Sequence, residues 1–83
     1  MEAPELSFRE KVADMNPEAI LWDGLDDAII GISIDNRAVY GLNKMILLFQ
    51  QQGMSEEEAM EWMDFNIISA YVGEYTPIHI WEF

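Results

Sequence analysis

The pattern of apolar and polar positions predicts a helix most clearly over residues 56–69. Ser55 stands where an N-cap hydroxyl accepts from the free N–H groups of the first turn. Glu58 follows three residues later, where a carboxylate can reach back and close a capping box. Apolar residues then recur with helical spacing and predict one buried stripe, formed by Ala59, Met63, Ile67 and Ala70.

Two more helices follow from the same spacing. The first spans about residues 5–15 and ends before Pro17, because the residue preceding a proline avoids the helical region. The second spans residues 42–52, and Gly53 stands where a glycine commonly ends a helix. Since Ser55 begins the next helix only two residues later, the last two helices are expected to form a tight helix–turn–helix pair.

Short runs of β-branched and aromatic residues predict the strands. Residues 28–34 and 38–41 flank an Asp35-Asn36 turn signal and are expected to form an antiparallel hairpin. Gly31, inside the first strand, marks either a bulge or a close contact with a helix. Residues 19–22 could form one more short strand, and residues 77–83 alternate as a last strand beside the hairpin.

Together these elements predict an α+β fold. The 83 residues form a single domain, with an N-terminal helical arm over residues 1–17 and an α+β core over residues 19–83. In that core, two layers are expected: the hairpin plus the C-terminal strand, and the helix–turn–helix pair packed on them.

The charge of the chain narrows the classes of partner. Sixteen acidic and four basic residues give a formal charge of −12, and residues 45–83 contain no Lys or Arg. Because Lys and Arg supply most of the affinity for phosphates, direct binding to nucleic acid or to anionic membranes is not expected. The composition is 51% apolar, which distinguishes the chain from a disordered acidic tail. With no membrane-length apolar run and no signal peptide, a cytoplasmic protein is the expectation.

Residues that could carry chemistry are few. Asp23, Asp26 and Asp27 do not have the spacing of an EF-hand and are best interpreted as turn-forming and capping residues. His79 has no cysteine, serine motif or second histidine to act with. We therefore expect neither an enzyme nor a bound metal or cofactor; a metal-dependent hydrolase built on the three aspartates is the alternative, which titration with Mg²⁺ or Mn²⁺ would test.

The predicted partner-binding residues are acidic and aromatic. One face of the last helix combines three carboxylates at spacings of four and three: Glu57, Glu61 and Asp64. Such a surface attracts a basic partner electrostatically and raises its rate of association. Three aromatic residues complete the predicted site: Trp62, Phe65 and Trp81. If these side chains are not all buried in the small core, they form an apolar patch of the kind that marks interfaces. A homodimer is the simplest way to cover such a patch.

Several sequence blocks together resemble a group of small phage and prophage proteins. In chain order they are G-L-D-D-A-I-I-G, V-Y, K-M-I-L-L, G-M-S-E-E-E-A-M-E-W-M-D-F-N and A-Y-V-G-E-Y-T-P-I. The resemblance covers roughly residues 19–80, and its most specific part runs from E-E-A to T-P-I. It implies a phage setting, in the cytoplasm of an infected bacterium, without an assigned activity. That group more often has a longer loop near Asn36, so the tight hairpin is expected to be atypical of it.

These observations give two functional hypotheses. The first is a non-catalytic, phage-encoded acidic binding protein that inhibits or modulates a host or defence protein; one version of it mimics DNA, with carboxylates in place of phosphates. The alternative is a small homodimeric structural or accessory phage protein, whose acidity only maintains solubility.

Overall fold

Three short strands form a mixed sheet in the computed structural model, which describes residues 7–83. Strand β1 (Ile29–Ile32) pairs antiparallel with β2 (Ala38–Gly41). Strand β3 (Ile78–Ile80) pairs parallel with the other side of β2, which is therefore central. The predicted hairpin and the docking of the C-terminal strand beside it are confirmed, although β1 and β3 are shorter than the alternation suggested.

Within residues 7–83, three α-helices complete the α+β fold: α1 (Phe8–Met15), α2 (Leu42–Gln51) and α3 (Glu56–Met63). Residues 5 and 6, where the sequence placed the start of the first helix, lie outside the described residues. Ser7 is the N-cap of α1, and its hydroxyl accepts from the backbone N–H of Glu10 at 3.2 Å. A 3₁₀ turn (Asp26–Ala28) precedes β1.

The turn between α2 and α3 follows the predicted chemistry. Gly53 has a φ of 99°, and its N–H donates to Gln50 O while that of Met54 donates to Phe49 O, which completes a Schellman ending. Ser55 and Glu58 then form the expected capping box, with both hydrogen bonds at 3.1 Å. The helix–turn–helix pair is thus fixed by local sequence at both ends of its turn.

Two details of the predicted sheet change. Residues 19–22 do not form a strand, because their backbone groups bond elsewhere: Ile20 N–H donates to Tyr75 O at 3.4 Å, and Trp22 N–H to the Tyr40 hydroxyl at 2.8 Å. Gly31 marks the bulge rather than a helix contact, since the strand register shifts beside it and no atom lies within 4 Å of where its Cβ would be.

The core lies where the sheet, α2 and α3 meet. Tyr40, Ile29, Met45 and Met63 are its largest fully buried side chains, and the predicted stripe of α3 contributes Ala59 and Ile67. The N-terminal arm joins this core through Val12. Asn16, also buried, donates from Nδ2 to Asn36 O at 2.8 Å and so ties the end of α1 to the hairpin turn.

Candidate functional site

The three predicted carboxylates lie on one exposed face of the last helix. Glu57 and Glu61 belong to α3, and Asp64 is its C-cap. With 3.6 residues per turn, the three positions fall within roughly 60° of arc. All three residues are exposed, so the structure brings them together as a single acidic face.

Aromatic residues border this acidic face. Phe65 is four residues from Glu61 and three from Trp62, spacings that make side chains neighbours on a helix. Trp62 also packs against Phe49 of α2, with ring centroids 5.0 Å apart and planes inclined by 53°. One side of its indole therefore holds α3 to α2, while Phe65 projects into solvent.

The helix does not continue in α form to residue 69 as predicted. Residues Asp64–Ile68 form a π-helical turn. Polar side chains bond the backbone there: Asn66 Nδ2 donates to Trp62 O at 2.9 Å, and the Ser69 hydroxyl donates to Asp64 O. Asn66 is exposed and makes this bond to the backbone of the preceding turn. The wider turn presents Phe65 and Ile68 to solvent.

Apolar exposure continues beyond the predicted residues. Ile68, Tyr71 and Val72 follow along the same stretch of chain and are also exposed. The exposure of Tyr71 and Val72 could have been predicted from the sequence, because both residues follow the end of the helical spacing and stand in a turn region. We call the combined region the α3 surface; it consists of Glu57, Glu61, Trp62, Asp64, Phe65, Ile68, Tyr71 and Val72.

The apolar part of the α3 surface consists mainly of exposed aromatic side chains. An aromatic side chain offers roughly 150–250 Å². Trp62 is 40% exposed, Phe65 86% and Tyr71 81%, which leaves roughly 400 Å² of aromatic surface in water. The largest apolar patch on a typical monomer is roughly 300–600 Å² and is often functional. A standard interface buries about 800 Å² on each partner, so these three residues offer about half of that share.

Trp81 lies apart from the α3 surface. It follows β3, and the next residue, Glu82, accepts hydrogen bonds from the backbone N–H groups of Asn43 (2.9 Å) and Lys44 (3.1 Å) at the start of α2. Trp62 instead packs near the end of α2, on Phe49. Asn43 and Phe49 are six residues, or about 9 Å, apart along the helix axis. The half-exposed Trp81 is therefore a separate apolar position at the other end of α2.

The aspartates near residue 25 are engaged by a basic residue of α1. Arg9 Nε donates to Asp26 Oδ1 at 2.8 Å, and a second guanidinium nitrogen donates to Trp22 O at 3.0 Å. The exposed Asp23 lies 3.8 Å from the same guanidinium. Within residues 7–83, no group of three or more His, Cys, Asp or Glu side chains is placed to hold a metal ion. The arrangement fixes α1 to the segment before β1.

His79 belongs to an aromatic cluster. Its Nε2 accepts a hydrogen bond from Trp22 Nε1 at 2.9 Å, and the two ring planes are within 13° of each other with centroids 6.0 Å apart, so the rings meet edge to edge. Tyr40 lies 6.0 Å from the same imidazole. Burial lowers the pKa of His79, and the nearby Arg37 guanidinium lowers it further. The ring is therefore held neutral as an acceptor, and it joins β3 to the segment before β1.

No helix within residues 7–83 has the length and apolar composition that crossing a bilayer requires. Comparison of the chain with protein-family models, with curated proteins and with solved structures finds no match. The resemblance to phage and prophage proteins accordingly stays a prediction.

Proposed function

We propose that this chain is a non-catalytic acidic binding protein, encoded by a phage, that inhibits or modulates a host or defence protein with a basic surface. The observation that carries the proposal is the α3 surface, where exposed aromatic side chains border three exposed carboxylates. The phage setting and the cytoplasm of the infected bacterium as its location rest on the sequence resemblance alone.

The charges around the α3 surface support a basic partner. Residues 45–83 contain no Lys or Arg, so no intramolecular base from that half of the chain offsets its carboxylates. Two of the four basic residues, Arg9 and Arg37, form ion pairs with aspartates elsewhere in the molecule. A partner that brings Lys or Arg to Glu57, Glu61 and Asp64 would gain long-range attraction, which raises association rates.

The aromatic residues support a mixed interface rather than purely electrostatic mimicry of DNA. Binding energy in protein interfaces concentrates in a few buried anchors, among which Trp and Tyr are enriched. Phe65 and Tyr71 are available as such anchors. Aromatic faces also attract the cationic side chains that a basic partner supplies. Mimicry of nucleic acid remains the second version of the proposal, because carboxylates on one face can stand in for phosphates.

A non-catalytic role is supported by what the candidate chemical groups do. His79 accepts a hydrogen bond from Trp22, and Asp26 binds Arg9, so both already serve the packing of the segment before β1. Neither residue belongs to the α3 surface. The proposal therefore places function in surface recognition.

The experiment is affinity capture of partners from host lysate with a tagged protein, at about 0.1 M and about 1 M salt, where the Debye length is about 10 Å and about 3 Å. The test variant carries Glu57→Gln, Glu61→Gln and Asp64→Asn. Its matched control carries Asp14→Asn, Glu18→Gln and Glu74→Gln, which remove the same charge from exposed positions outside the α3 surface. Phe65→Ser tests the aromatic part, with the exposed Phe83→Ser as its control.

The proposal expects a protein that wild type and both controls retain and that the α3 variants lose. Loss with the charge variant alone, at low salt only, together with a nucleic-acid-binding partner, supports mimicry. A partner that survives high salt and is lost with Phe65→Ser supports the aromatic contact. Equal retention by all variants would remove the α3 surface from the interface. An empty column at both salt concentrations would contradict the proposal and favour the accessory protein.

A further inference from the structure

Trp22 is bound by three separate elements of the fold. Its backbone N–H donates to the Tyr40 hydroxyl of β2 at 2.8 Å, and its carbonyl accepts from Arg9 of α1 at 3.0 Å. Its indole Nε1 donates to Nε2 of His79 on β3 at 2.9 Å. The indole is half-buried, so this last bond and the packing around it hold the side chain in place.

The indole bond requires a neutral His79. An indole Nε1 can donate a hydrogen bond but cannot accept one, so the imidazole Nε2 that faces it has to supply a lone pair. A protonated histidine carries an N–H group on both ring nitrogens. Protonation of His79 would therefore set two donors against each other across 2.9 Å. One proton is enough to break the bond between Trp22 and β3.

The charges around the imidazole oppose that proton. Arg37 is the charged residue that acts on His79, and its Nε is fixed by a hydrogen bond to Thr76 O at 2.7 Å. Burial and this guanidinium both lower the pKa of His79. The charged groups near Tyr40 act on the phenol instead; they are Arg9, Asp26 and Asp23.

Residues 19–22 are the part of the chain that the loss of this bond can release. They form neither helix nor strand, and the N–H of Ile20 reaches Tyr75 O only at 3.4 Å. Three of these residues pack against the core without being buried in it: Ala19, Leu21 and Trp22. Segments with few buried contacts and weak hydrogen bonds open at a lower free energy than core helices and strands do.

We propose that the Trp22–His79 pair is a pH-sensitive latch. When His79 is neutral, the pair holds residues 19–22 on β3. When His79 is protonated, the Trp22 side chain leaves and the segment opens, while the sheet, α2 and α3 stay folded. The latch involves no residue of the α3 surface, so it does not depend on the function proposed for that surface.

Hydrogen exchange of the full chain tests the latch, followed by NMR from about pH 8 to about pH 5, the range in which histidine titrates. The protection of the Trp22 Nε1–H, relative to a free indole, should fall as the pH drops below 6.5. The fall is up to about tenfold per pH unit, because the open segment leaves His79 free to bind one proton. At each pH, the backbone amides of the buried Phe49 and Met63 should stay at least about tenfold more protected.

Two results for the wild-type chain would overturn the inference. The first is protection of the Trp22 indole that does not change with pH. The second is a Trp22 indole that exchanges only as slowly as the amides of Phe49 and Met63, because its opening would then be global unfolding.

Two variants separate the bond from other effects of pH. His79→Gln keeps an acceptor oxygen that does not titrate, so Trp22 should stay protected without the pH dependence. Trp22→Phe removes the donor, and the pKa of His79, read from its imidazole signals, should then move towards 6.5. Trp62→Phe is the matched control, since Trp62 packs on Phe49 of α2, and it should leave that pKa unchanged. A pH dependence that survives in His79→Gln, or a titration of His79 that Trp22→Phe does not alter, would contradict the latch.

Discussion

The start of α2 depends on a residue from the other end of the chain. Gly41 is the N-cap and has no side chain to bond the free N–H groups of the first turn. The Glu82 carboxylate takes this role: it accepts from Asn43 N–H at 2.9 Å and from Lys44 N–H at 3.1 Å. Asn43 Nδ2 returns a bond to Glu82 O at 2.7 Å. We therefore predict that Glu82→Ala destabilises the domain even though it lies next to the last residue.

The size of the effect follows from the bonds lost. Removing an ordinary N-cap side chain costs about 0.5–2 kcal/mol, and that side chain usually makes one such bond. Glu82 makes two, but near the surface, where solvent weakens them. We expect a loss of about 1–1.5 kcal/mol, which lowers the melting temperature of a domain of this size by roughly 5–10 °C. Thermal unfolding followed by circular dichroism measures it, with Glu74→Ala as an exposed-carboxylate control.

A double-mutant cycle with Gly41 tests the contact itself. A Cβ added to Gly41 would overlap the Glu82 carboxylate. Because these atoms are the far end of a flexible side chain, Gly41→Ala should displace the carboxylate and cost about as much as the hydrogen bonds that it makes. The same substitution should cost little when Glu82 is already alanine, which gives a coupling of about 1 kcal/mol. Additive effects of the two substitutions would refute the reasoning, because they would mean that the carboxylate does not lie beside Gly41 in solution.

The stability that the Glu82 carboxylate contributes should decrease at acidic pH. Desolvation raises the pKa of Glu82, but hydrogen bonds from the backbone N–H groups of Glu82, Asn43 and Lys44 outweigh it and hold the pKa below 4.5. A carboxylate with a depressed folded pKa stabilises the fold above its unfolded pKa. That contribution is lost as the pH falls through the folded pKa. The stability difference between wild type and Glu82→Gln should therefore shrink below pH 4.5.

Three further predictions concern other contacts. Burial and Arg37 depress the pKa of His79 below 6.5, so the free energy of unfolding should fall as the pH drops below that value. His79→Phe should flatten this part of the pH profile, measured by urea unfolding. Because the chain has one histidine, the effect can be assigned to that residue. Arg9→Met removes the bonds to Asp26 and the Trp22 carbonyl and should cost about 1–2 kcal/mol in the same assay; an unchanged midpoint would show that these bonds contribute nothing. Gly53→Ala, at a φ of 99°, should cost about 1 kcal/mol, while Gly31→Ala at an open position should not destabilise; equal effects would contradict the role of φ.

Local sequence was enough to predict the elements whose ends are set by neighbouring residues. The Ser55–Glu58 capping box and the ending at Gly53 involve residues three to five positions apart, and both form as expected. The acidic face of α3 is equally local, because helical spacing alone brings Glu57, Glu61 and Asp64 together. The fold class and the acidic part of the candidate site could therefore be derived from the sequence.

Contacts between distant residues explain where prediction failed. Residues 19–22 look like a strand by composition, but Trp22 bonds to Tyr40 and His79, 18 and 57 positions away. Trp81 was predicted to share one partner-binding site with Trp62 and Phe65, and the contact of Glu82 with the start of α2 places Trp81 at the other end of that helix. The capping role of Glu82 itself, 39 positions from Asn43, has no signal in local spacing.

Salt should act differently on the two parts of the α3 surface. Attraction between its carboxylates and a basic partner is screened by added ions, so that part of the binding should weaken as ionic strength rises. Burial of the exposed Phe65 and Tyr71 side chains involves no charge on this chain and should persist at about 1 M salt. A partner that is lost with the charge variant at low salt and with Phe65→Ser at both salt concentrations would therefore use both parts of the surface.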